Sequence, residues 1–201
     1  MPPTAPAQPR NRLFVALDLP DGLRARLAAA GARVAADAGG RAVPPENLHM
    51  TLAFLGEVPP EPAGQLAERL GDLASAAAAR VRIGAVVARP SPRRARLVAV
   101  ELLDVDGALR DIAARVLRAC ADAIPDRGDD GRAFWPHVTV ARFSRPGDVR
   151  GFPPVAHEHV FDITRASLYD SHICPGRPPR YEALKEVTLD DSFAERSPQH
   201  G

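Results

Sequence analysis

Two short segments constrain this chain more than anything else in it: His49-Met50-Thr51-Leu52 and, far downstream, His137-Val138-Thr139-Val140. Each sets a histidine and a threonine on either side of one apolar residue. Side chains of a β-strand point alternately to opposite faces. As a strand, each segment therefore carries its histidine and threonine on one face and two apolar residues on the other. The apolar face packs a core and the polar face is left for something else. Two such strands, in matching positions of two similar half-chains, predict a site where two imidazoles face one substrate.

The rest of the pattern places these strands. Arg12 to Asp18 reads as a buried strand. Pro20 and Asp21 open a helix with Leu23, Leu27, Ala30 and Val34 at helical spacing, ended by Gly39-Gly40. The first motif strand runs from about Leu48 to Leu55. A second helix starts at Pro59-Pro60, with Leu66, Leu70, Leu73 and Ala77 on one face. Val81 to Val87 and Leu97 to Leu103 form a hairpin around a basic turn. Leu109, Ile112, Ala113, Val116, Leu117 and Cys120 trace a third helix. The second motif strand spans Pro136 to Phe143, and strands at Val160 to Tyr169 and Tyr181 to Leu189 close the chain. Helices alternating with strands that pair as hairpins predict an α+β fold. The expectation is one bilobal domain over 12–189, built from duplicated half-domains whose antiparallel sheets line a central groove. Residues 1–11, rich in Pro and Ala, are expected to be a disordered tail, and 190–201 a loose one.

Composition excludes several classes. With 201 residues, 45% hydrophobic and 25% charged, the chain matches an ordinary globular protein. No apolar run reaches the roughly 20 residues of a membrane helix, and the start has no secretory pattern. A cytoplasmic monomer is expected. Net charge is +1, so no bulk electrostatic argument favours duplex nucleic acid. Lys185 is the sole lysine; Arg suits phosphate through its planar fork. Cys120 and Cys174 fit no zinc or CxxC spacing, and neither metal nor cofactor is expected.

Two histidines suit phosphodiester hydrolysis. The attacking oxygen must lose a proton and the leaving oxygen gain one, and a neutral imidazole and an imidazolium do both near neutral pH. Thr51 and Thr139, on the histidine faces, can donate to the non-bridging phosphate oxygens, where charge builds up. Arg142 can add a full positive charge, but strict alternation turns it away from His137 unless a bulge or the strand end intervenes.

The residues resemble the 2H phosphoesterase superfamily, whose signature is a pair of His-x-Thr-x motifs. The likeness extends to its RNA 2′,3′-cyclic phosphodiesterase branch, also described as 2′-5′ RNA ligases. It rests on Arg12-Leu13-Phe14-Val15-Ala16-Leu17-Asp18-Leu19-Pro20, on Asn47 to Val58, on Pro136 to Arg142, and on Leu168 to Ser171 with Tyr181. The resemblance implies metal-independent opening of a 2′,3′-cyclic phosphate at an RNA 3′ end to give a 2′-phosphate. It implies His49 as proton donor to the leaving 3′ oxygen and His137 as base for water. Reversal would give weak 2′-5′ ligation. Two alternatives stay open: a phosphodiesterase for small cyclic or linear nucleotides, and an RNA- or nucleotide-binding module without turnover. Retention of both histidines and both threonines argues against the latter.

Other residues admit two readings. Phe14, Phe54 and Trp135, with Phe134, are either core or platforms on which a base stacks. The Arg89, Arg93, Arg94 and Arg96 turn is either solvated or an RNA-backbone contact. His157 and His159 are spaced like a metal pair, but no further ligand set accompanies them and a solvated segment is favoured.

Overall fold

A computed structural model describes residues 10–125, 133–150, 155 and 159–192. In chain order the elements are β1 (Asn11–Asp18), α1 (Asp21–Ala38), the two-residue β2 (Arg41–Ala42), β3 (His49–Val58), α2 (Pro60–Arg69), β4 (Ala79–Arg89), β5 (Ala95–Asp104), α3 (Ala108–Ala123), β6 (His137–Gly147), β7 (Val160–Ile163), β8 (Arg165–His172) and β9 (Arg180–Thr188). The strands form two antiparallel sheets, ordered β3-β1-β8-β9 and β2-β6-β5-β4-β7.

The order exposes the duplication. From each motif strand inwards, β3-β1-β8-β9 in one sheet corresponds to β6-β5-β4-β7 in the other. The correspondence does not follow the halves of the chain, because β4 joins the second motif's sheet and β8 the first's. The first helix crosses over too, while the third bridges the two sheets. α1, next to the first motif in sequence, packs on β6; α3 packs on β3 and β4. Gly31 of α1 lies so close to β6 that a Cβ there would collide with the Val140 carbonyl oxygen. Each sheet is thereby locked to the other, and the motif strands come together between them.

Alternation holds where it matters most. Met50 and Val138 are fully buried while their flanking His and Thr are half-buried. Strand β1 is buried on both faces from Leu13 onwards. Elsewhere the fold departs from expectation. The single strand expected over Val160 to Tyr169 is two strands in different sheets, with the switch at Thr164. Its apolar residues already change phase there: Phe161 and Ile163 share one parity, Ala166 and Leu168 the other. Leu117 does not join the buried stripe of α3; it is 48% exposed. The second helix ends at Arg69 and tightens into a 3-10 segment over Leu70–Ser75. Ala77, expected on its face, instead bridges Asp190. Asn11 and Asp190, both expected in tails, are paired: Asn11 opposite Val58, and Asp190 hydrogen-bonded to Ala76 and Ala78. No helix among the described residues is long and apolar enough to cross a membrane.

Candidate active site

His49, Thr51, His137, Thr139 and Arg142 line one cavity of about 280 Å³ between the sheets. Each histidine is held in the same way. The Nδ1 of His49 lies 2.8 Å from the Asn47 carbonyl oxygen, and that of His137 lies 2.7 Å from the Trp135 carbonyl oxygen. A carbonyl only accepts, so Nδ1 carries the proton in both rings. Nε2 is thereby left as the atom that exchanges protons with the cavity. The His49 Nε2 is 3.1 Å from Thr51 Oγ1, so the threonine hydroxyl donates to the neutral ring.

Strand bulges complete the lining. In the β5–β6 ladder Val98 faces Ala141 but Ala99 faces Thr139, leaving Val140 as an extra residue. The side-chain phase shifts by one, and Arg142 returns to the face of His137 and Thr139. The bulge that simple alternation lacks is thus present. The β1–β3 ladder repeats it: Val15 faces Ala53 and Ala16 faces Thr51, leaving Leu52 extra. Both strands show the same burial sequence over HMTLAF and HVTVAR, so Phe54 stands in its lobe where Arg142 stands in the other.

Carboxylates, missed in the sequence, sit opposite both histidines. Asp18 is the cross-strand neighbour of His49, and Glu101 that of His137. Asp18, buried at 9% exposure, accepts from Ser167 Oγ at 2.7 Å and from Tyr169 Oη at 2.7 Å, and pairs with Arg165 at 3.2 Å. Burial and this bond push the Tyr169 phenol up to about 12. Glu101 accepts from the Trp135 indole at 2.9 Å. Burial pulls the pKa of both histidines below the usual 6.5, opposed in each by the carbonyl bond on Nδ1. Among side-chain charges the two sites differ. Asp18 favours the imidazolium at His49, whereas Arg142 and Arg89 are foremost at His137 and favour its neutral form.

The aromatic candidates separate. Phe14 lines the cavity but is 3% exposed, its ring 4.8 Å from His49 and flanked by Tyr169 and Tyr181. Trp135 does not line the cavity; it stacks on His137 at 3.8 Å, with the Arg89 guanidinium over its ring. Phe54 does line the cavity and is 48% exposed, with Arg12 over its ring. The basic turn is dispersed: Arg89 serves Trp135, and Arg96 donates to the Ser144 carbonyl at 2.6 Å. Tyr181 and Asn47 also line the site, and the Asn47 amide donates to the Pro179 carbonyl at 2.8 Å. One signal for the tyrosines was available: the chain has two, both in the closing hairpin. His157 lies outside the described residues, and no cluster of three metal-ligating side chains occurs among the described ones.

The fold has counterparts over nearly the whole chain. The crystal structure of E. coli LigT complexed with 3′-AMP matches with a TM-score of 0.74 and 28% identity, covering 90% of this chain and 99% of that one. The fold and its paired motifs define a 2H phosphoesterase. Residues 17–99 match the family model described as LigT like Phosphoesterase. A protein of Thermus thermophilus named RNA 2′,3′-cyclic phosphodiesterase is 34% identical over 184 residues, 89% of this chain and 90% of that protein. An Escherichia coli protein of the same name is 30% identical over 189 residues, 89% of this chain and 97% of that protein. The chain belongs to the LigT-like phosphoesterase family.

Proposed function

We propose that the protein hydrolyses the 2′,3′-cyclic phosphate at RNA 3′ ends to a 2′-phosphomonoester, with no metal, using His49 as acid and His137 as base. The carrying observation is that two rings from different sheets, each pinned at Nδ1, turn Nε2 into one cavity. Neutral His137 takes a proton from water as the water oxygen bonds to phosphorus. The bond from phosphorus to the 3′ oxygen breaks in line with the attack, and that oxygen takes the proton of the His49 imidazolium. The product carries a 2′-phosphate and a free 3′-hydroxyl, and one further exchange with water resets both rings.

The local charges support this division of labour. Asp18 behind His49 favours the protonated ring there, and Arg142 with Arg89 favours a neutral ring at His137. A phosphate anion entering between the rings raises both pKa values and suits protonation of His49. Once His49 is charged, its Nε2 no longer accepts from Thr51, which frees the threonine hydrogen for a phosphate oxygen. Thr139 and Arg142 meet the same developing charge. Phe54 offers the exposed ring on which a terminal base stacks.

Phosphorus NMR tests the reaction. With a 2′,3′-cyclic phosphate-terminated oligonucleotide in EDTA, the account predicts a 2′-phosphomonoester as the product. A 3′-phosphomonoester, or loss of turnover on chelation, contradicts it.

A further inference from the structure

The cavity that holds the histidines does not end at Arg142. A second one, of about 560 Å³, adjoins it and shares Val43, Asn47, Arg142, Pro179 and Tyr181 as walls. Its remaining lining includes Arg41 and Arg177 and contains no carboxylate. Arg41 lies directly opposite Arg142 in the β2–β6 pair, so the two side chains leave the sheet on one face with stems about 5 Å apart. Like charges directly opposite one another cost stability, yet none of these three arginines pairs with a carboxylate among the described residues. Arg177 joins them from the β8–β9 turn, in the other lobe. That turn is tied to the first motif, since Pro179 accepts from Asn47. The groove is thus walled by both sheets and runs on from the reacting phosphate towards a space larger than the first.

We infer that this adjoining groove binds the sugar-phosphate backbone on the 5′ side of the reacting nucleotide, with Arg41 and Arg177 on the internal phosphodiesters. The inference rests on the proposed hydrolysis of cyclic phosphate ends and specifies its substrate as single-stranded oligonucleotide in preference to mononucleotide. Arg142 stands at the junction, reaching the reacting phosphate on one side and neighbouring Arg41 on the other. Guanidinium groups suit this work because their planar forks match phosphate oxygens. Phe54, at the other part of the catalytic cavity, leaves this direction to the backbone.

The test compares kcat/KM for a nucleoside 2′,3′-cyclic phosphate with that for a tetranucleotide ending in the same group. It uses the wild type, Arg41→Gln with Arg177→Gln, and Arg118→Gln on the remote face of α3 as a control for lost charge. Wild type should favour the tetranucleotide by roughly tenfold or more, the scale of two charge-assisted contacts. The double variant should bring that ratio towards one, and the control should keep it. The wild-type salt dependence for the tetranucleotide should be steeper by about 0.7 in log–log slope per internal phosphate engaged, and the double variant should lose that excess. Equal wild-type efficiency on both substrates, or an undiminished ratio in the double variant, overturns the inference. Fluorescence anisotropy with an oligonucleotide ending in a 2′-phosphate reads the groove without turnover. Affinity that grows with length and depends on Arg41 and Arg177 upholds the groove even if hydrolysis fails. Length-independent affinity rejects the groove even if hydrolysis succeeds.

Discussion

Each imidazole of the cavity has the same three kinds of neighbour: a carbonyl two residues upstream, a carboxylate across the strand and an aromatic ring. For His49 these are Asn47, Asp18 and Phe14; for His137 they are Trp135, Glu101 and Trp135 again. The roles assigned to the two rings predict unequal responses to leaving-group chemistry. His49→Ala should regain much of its lost rate on a phosphodiester whose leaving group is a p-nitrophenolate, which departs without a proton. His137→Ala should not. Rescue of His137→Ala alone would reverse the assignment. The direction of the pKa shifts fixes a pH dependence as well. Both folded-state values lie below 6.5, and the productive free protein holds one proton between the rings. That form is most populated midway between the two values. kcat/KM should therefore peak on the acid side of pH 6.5 and fall as the second ring loses its proton. The optimum of kcat should lie higher, because bound phosphate stabilises the imidazolium. A kcat/KM still rising beyond about pH 7 would contradict the lowered values.

At the scale of elements, the bulges decide what the motif strands can do. His49, Thr51, His137 and Thr139 were legible because they precede the bulge, where period two is intact. Arg142 and Phe54 follow it, and nothing in local propensity marks Val140 or Leu52 as the extra residue. That depends on the partner strand's register, which a single segment does not encode. The Val160 to Tyr169 stretch is different. Its change of apolar phase between Ile163 and Ala166 was visible, and it marks the passage from one sheet to the other. The two-residue β2 was too short to have a period, yet it brings Arg41 to Arg142. Asp18 and Glu101 were invisible as a pair because their relation to the histidines exists only across a ladder. The α1–β6 contact carries a prediction. Gly31→Ala sets a Cβ against the Val140 carbonyl oxygen, at the bulge itself, and should destabilise the fold by about 1–3 kcal/mol. It should also lower kcat by shifting Arg142. Urea unfolding together with kinetics checks both, and an unchanged midpoint would mean that α1 is not seated on β6 as described.

At the scale of the molecule, the chain builds one site by exchanging parts between two similar lobes. One sheet takes its strands from the two ends of the sequence and the other from the middle; α1 packs on the sheet that holds the second motif, and α3 lies against strands of both sheets. Neither lobe holds the whole cavity, since one supplies His49 with Thr51 and the other His137, Thr139 and Arg142. The sequence repeat made a two-imidazole groove readable, but the exchange of hairpins was not, because pairing between distant strands leaves no mark in local periodicity. The central claim is that the two rings, one from each lobe, perform one acid–base reaction. The most direct test is the hydrolysis rate of RNA ending in 2′,3′-cyclic phosphate, in EDTA, for wild type, His49→Ala and His137→Ala. Each single variant should lose about 10²–10⁴-fold in kcat, the range of general acid–base catalysis, with its fold intact. Wild-type turnover by either variant on this natural leaving group would contradict the claim.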